Sequence, residues 1–91
     1  MAELIKTDGS ITEITPANGK TFTYDELKGF INGWLEFIYL PNGDPIILDE
    51  EGKLKQLPRN ERATLMARTC GISEDDFLVG DVLVCSKEEV D

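Results

Sequence analysis

Trp34-Leu-Glu-Phe-Ile-Tyr-Leu40 decides the reading of this chain. Seven residues, dominated by β-branched and aromatic types, spell a β-strand. Alternation sends Leu35, Phe37 and Tyr39 to one face and Trp34, Glu36, Ile38 and Leu40 to the other. Both faces are largely apolar, so the strand is expected to lie centrally, covered on each side, or in a rolled, barrel-like sheet. Downstream, Pro41-Asn-Gly-Asp-Pro45 is a turn and Ile46–Asp49 pairs back. Glu51-Gly52 makes a second turn, with Lys53–Leu57 as a short extended return.

Upstream, Thr23-x-x-Glu26 is a capping box that opens a helix. Asp25 and Glu26 suit the positive end of its dipole. Tyr24, Leu27, Phe30 and Ile31 recur at helical spacing as one buried face. Gly29 weakens the interior by about 1 kcal/mol relative to alanine, and Gly33 is the expected stop. Earlier still, Leu4–Lys6 and Ile11–Thr15 flank Asp8-Gly9, a hairpin signal. On the far side, Asn60 caps a second helix whose apolar stripe is Ala63, Met66, Ala67 and Cys70, ended by Gly71. Phe77–Val79 and Asp81–Cys85 read as closing strand, with Gly80 as a bend.

The expected order is β-β-α-β-β-(β)-α-β. It gives an α+β fold in which a curved, mostly antiparallel sheet, barrel-like at the limit, carries two helices. The 91 residues make one domain over 1–86 with a frayed acidic tail at 87–91. A chain this short buries roughly 60–65% of its unfolded surface, leaving little room for a deep enclosed site.

No apolar run reaches the ~20 residues of a membrane helix. The opening residues lack the basic-then-apolar pattern of a secretion signal. The expected location is therefore the cytoplasm. Cys70 and Cys85 are the only cysteines and sit in apolar contexts, as small hydrophobes kept reduced there.

The chain has no histidine, which removes Ser-His-Asp and Cys-His catalysis and imidazole ligation. Asp49-Glu50-Glu51 and Glu74-Asp75-Asp76 lack the spacing of a calcium loop and read as solvated turns. No phosphate-loop or dinucleotide fingerprint is present. Non-enzymatic binding, without a cofactor or metal, is the expectation.

Eighteen acids against nine bases give a net charge of −9, which opposes direct nucleic-acid binding. The bases are unevenly placed. Lys53, Lys55, Arg59, Arg62 and Arg68 share one segment, 53–70, with Glu61 as its single acid, so it carries +4 against −13 elsewhere. Arg59, Asn60, Arg62 and Thr64 gather at a helix start, a place suited to anions. Trp34 or Tyr39 could stack a base beside it. The favoured ligand is a small anionic nucleotide-type signal, bound between subunits of a homo-oligomer because the chain has little interior.

Three blocks, Glu50-Glu-Gly-Lys-Leu54, Leu57-Pro-Arg-Asn60-Glu-Arg-Ala-Thr64 and Gly80-Asp-Val-Leu-Val84, resemble a family of small domains of unknown function. Gly33–Ile38 leading into Pro41-Asn-Gly43 fits its pattern, so the resemblance spans roughly 1–85. That family occurs in bacteriophages, plasmids and Gram-positive bacteria. The resemblance implies a compact α+β fold and a phage or mobile-element setting, and it supplies no catalytic residues. Asn60 and Thr64 match its most distinctive block. The expected role is an accessory protein that binds a host-side target, with sequestration of an antiviral signal favoured. The alternative is an acidic, DNA-mimicking inhibitor of a basic host nuclease or restriction enzyme. A third reading is a metal-dependent phosphodiesterase built on the acidic clusters.

Overall fold

In the computed structural model, which describes residues 2–90, WLEFIYL forms strand β3 (Leu35–Tyr39). It lies at the edge of the sheet, not at its centre. β1 (Ala2–Ile5), β2 (Ile11–Ile14), β4 (Pro45–Asp49) and β5 (Val82–Val84) complete a five-stranded sheet in the order β2-β1-β5-β4-β3. Every pairing between these strands is antiparallel. The sheet stays open, with β2 and β3 as its two edges.

The edge position and the apolar faces are compatible because they concern perpendicular directions. Helix α1 (Tyr24–Ile31) covers one face and helix α2 (Glu61–Ala67) the other. Leu4, Leu83, Ile47 and Phe37 line up across four strands and pack against Leu27 and Ile31 of α1. On the opposite face Ile5, Ile46, Leu48 and Val82 pack against Ala63 and Ala67 of α2. Each large side chain so buried contributes about 1.5–3 kcal/mol. Ala63 and Ala67 are both fully buried on this face. β4 has a helix-covered face on both sides and is buried at every position.

The helix ends follow local chemistry. Thr23 and Glu26 form the capping box expected of them. The stop falls one residue earlier than Gly33, at Asn32, which adopts a left-handed φ of 60°. Tyr24 does not join the buried face of α1; it is 54% exposed. The α2 stripe holds through Ala67, then tightens into a 3₁₀ turn, Arg68–Cys70, before Gly71.

Three expected segments differ. Residues 53–57 form turns, not an extended return. Lys55 N donates to Glu51 O, Gln56 N to Lys53 O and Leu57 N to Gly52 O. Leu54 is 83% exposed, so no apolar alternation ties this stretch to a sheet. Phe77–Val79 is reduced to a single bridge between Val79 and Arg59. Gly80, at φ 77°, turns the chain away, and a Cβ there would meet Leu57 at 2.8 Å.

The tail folds back on the sheet over residues 87–90, where a frayed end was expected. Ser86 caps a 3₁₀ turn at Lys87–Glu89, and Val90 bridges Phe22. Phe22 N donates to Glu89 O at 2.7 Å, and Lys87 N to Asp44 Oδ1 at 3.0 Å. Asp91, the last residue of that tail, lies outside the described residues. No described helix is long and apolar enough to cross a membrane.

Candidate functional site

The segment Leu57–Thr64 holds the sheet's far side together. Asn60 is 1% exposed, and each of its polar atoms has a partner. Its Nδ2 donates to Ile5 O and Gly80 O, both at 2.9 Å, and its Oδ1 accepts from Ala63 N at 3.0 Å. Its backbone N donates to Leu78 O at 2.8 Å. Thr64, equally buried, donates from Oγ1 to Asn60 O at 2.7 Å and accepts from Leu78 N at 2.9 Å. These two residues are therefore a latch joining β1, the Gly80 bend and α2. Both side chains are engaged by the fold's own backbone. α2 has seven residues, and Asn60 already occupies the amides of Ala63 and Thr64.

Three of the five bases of the 53–70 segment are paired in place. Lys53 pairs with Asp76, an exposed contact that holds the Asp76 carboxyl below its ordinary range. Lys55 Nζ pairs with Asp49 Oδ2 at 2.7 Å, where the Asp49 side chain is 2% exposed. Arg59 Nε pairs with Glu61 Oε1 at 2.7 Å. The Arg59 guanidinium and the Lys53 ammonium both stand over the Phe77 ring, at 4.9 and 4.8 Å from its centroid. Arg62 and Arg68 carry no ion pair among the described residues.

Trp34 and Tyr39 do not join Arg59 in one site. They stand at opposite ends of β3, exposed by 57% and 60%. The Trp34 ring lies against Lys28 of α1, whose Nζ is 4.5 Å from its centroid. Tyr39 stacks on Phe37, with ring centroids 6.4 Å apart.

Three clefts open on the surface, each with more acids than bases. A cleft of about 240 Å³ opens beside β3 on the α2 face, lined by Glu36, Ile38, Leu48, Glu50, Lys53 and Phe77. A second, of about 480 Å³, lies at the C-terminal end of α1 and holds Asp49, Lys55 and Asp81. The third, of about 220 Å³, has Glu3 and Asp44 and no base. Asp49 is fixed twice, accepting from Glu51 N at 2.9 Å and from Lys55. A side chain at Gly33 would collide with its carboxylate. Asp81 Oδ1 accepts from Thr7 N at 3.1 Å. Among the described residues no three acidic or cysteine side chains converge as a metal shell requires.

Sequence reasoning missed Glu36, Asp49, Glu50 and Asp81 as cleft residues: it took Asp49 and Glu50 as a solvated turn and placed Glu36 and Asp81 in strands without a site role. One signal was available: Asp49 ends an otherwise apolar strand, and a buried acid there needs a partner such as Lys55. Residues 4–91 match the family described as domain of unknown function DUF3846. No curated protein and no solved structure matches the chain.

Proposed function

Because the chain belongs to the DUF3846 family, whose description carries no activity, the site itself must supply a reading. We propose that it is a non-enzymatic phage or mobile-element accessory protein that binds a basic surface on a host protein. The carrying observation is that each of the three clefts holds more carboxylates than bases. A cleft in which one sign of charge predominates draws in the opposite sign. The net charge of −9 acts in the same direction at longer range. An inhibitor that occupies the nucleic-acid cleft of a host nuclease or restriction enzyme fits this chemistry.

The test is affinity capture from host extract at low and high salt. A basic protein retained at about 50 mM salt and lost near 500 mM supports the reading, since exposed charge pairs are screened over that range. Capture indifferent to salt, or no basic protein at all, overturns it. EDTA-sensitive hydrolysis of a phosphodiester by the purified chain would also overturn it.

A second reading keeps the small anionic, nucleotide-type signal of antiviral defence, and rests on Arg62 and Arg68. Their guanidinium groups are without an ion pair among the described residues and remain available for a phosphate. Calorimetry with cyclic dinucleotides and ADP-ribose derivatives decides it. Heats that vanish in Arg62→Ala favour it; equal or absent heats remove it.

A further inference from the structure

The backbone of β3 is half unused. Glu50 N donates to Trp34 O and Leu40 N to Asp44 O, both at 2.8 Å. Hydrogen-bonded pairs alternate along an antiparallel ladder. Glu36 and Ile38 therefore turn their amides and carbonyls to β4, opposite Leu48 and Ile46. Leu35, Phe37 and Tyr39 turn theirs outward, along an edge that no other strand of the sheet covers. A largely apolar, unpaired edge of this kind is a template for pairing, which proteins usually blunt with lysine, proline or a bulge. β3 has none of these; its single charge is Glu36.

The edge adjoins the cleft lined by Glu36, Ile38, Leu48 and Glu50, whose one base, Lys53, is paired with Asp76. Glu36 and Glu50 carry no ion pair among the described residues. We infer that the free edge of β3 receives an extended segment of a partner protein, adding a strand whose alternate side chains are basic and enter this cleft. This inference rests on the acidic, protein-binding reading above and names the surface that performs it. The added strand would gain main-chain hydrogen bonds from Leu35, Phe37 and Tyr39. Its residues on the Glu36 side would pass over Ile38 and end between the two free carboxylates. An arginine or lysine matches that course, with an apolar stem and a charged tip. Trp34 and Tyr39, exposed at the two ends of the edge, are of the types that anchor interfaces.

Charge argues for a basic partner over a second copy of the chain. Pairing β3 with itself about Phe37 sets Glu36 diagonal to the other copy's Glu36 and joins two bodies of charge −9. The other edge, β2, is exposed on nearly every residue, and none of the three clefts touches it.

Selection from a random octapeptide library on the whole chain tests the inference. Enriched peptides should alternate arginine or lysine with apolar residues. Tyr39→Pro should weaken them at least 10-fold, because proline removes an outward N–H at an exposed edge position that tolerates it. The Glu36→Gln/Glu50→Gln double variant should do the same. A selected peptide N-methylated at alternate residues should lose binding to the unchanged protein, which guards against a misfolded variant. Basic peptides that bind Tyr39→Pro and tolerate N-methylation as well as the parent overturn the β3 inference, and leave the acidic reading standing. Enrichment without basic residues, or none, overturns both. A dimer in native mass spectrometry whose Leu35, Phe37 and Tyr39 amides are already protected would assign the edge to a second copy and overturn the basic strand.

Discussion

Asn60 shows how one side chain can be half legible from sequence. Its position three residues before Ala63 marks it as a helix cap, and it is one. Its two donors reach Ile5 O and Gly80 O, 55 and 20 residues away along the chain, and no local pattern announces them. The anion-site reading of Asn60 and Thr64 gave way for that reason: buried polar atoms go first to the backbone groups around them. Asn60→Ala removes a cap worth about 1 kcal/mol and leaves two buried carbonyls short of a donor, at about 1 kcal/mol or more each. A loss of about 3 kcal/mol is expected in urea unfolding, against a change within ~0.5 kcal/mol for Arg62→Ala. Equal stability of the two variants would refute the latch. The cysteines give a second residue-scale prediction. Burial, then the charges of Glu89 and Asp44, push the Cys85 thiol up to about 11. At pH 8 a disulfide reagent should therefore modify half-buried Cys70 rapidly and Cys85 only on unfolding.

At the scale of elements, the hairpins, both helices and the α+β class were legible, because capping boxes, turn residues and period-two runs are local signals. The place of β3 was not. Alternation reports which faces are covered, and WLEFIYL has two because α1 and α2 lie on opposite sides of the sheet. Whether a strand has one neighbour or two leaves no mark on that pattern. Residues 53–57 and 77–79 were over-read for a related reason. Single apolar residues there pack under turns, as Leu57 does against Gly80, without a ladder to join. The tail went the other way: KEEV looks solvated, yet its backbone returns to Phe22. Deleting residues 87–91 should expose the Phe22 amide, which Glu89 O now accepts from, and speed its hydrogen exchange at least 10-fold. The loss in stability should be about 1–2 kcal/mol, for two or three main-chain hydrogen bonds and the Val90 contact. A frayed tail would leave both quantities unchanged.

Over the whole molecule, charge sets how stability responds to solution conditions. At pH 7 a net charge of −9 repels itself, so added salt should raise the melting temperature by screening. Acid brings two opposed effects. Protonating free carboxylates relieves repulsion, whereas protonating those held by hydrogen bonds removes a favourable contact. Glu26 belongs to the second group: the Thr23 backbone amide first, then that of Ala17, hold its carboxyl below the ordinary 4.5. Asp76 beside Lys53 and Glu88 beside Ser86 behave alike. A carboxyl depressed in the folded state contributes stability above its unfolded value and loses it as pH falls through its folded value. The window for these groups therefore opens just below pH 4.5 and extends downward. Glu26→Gln keeps an acceptor in the capping box but cannot titrate. Its melting temperature should lie below that of the parent at pH 7, and the gap should close as the pH drops below about 4. A gap that stays constant over that range would mean that Glu26 acts through shape alone. In that case the acid response of the fold would come from general repulsion, and salt would abolish it.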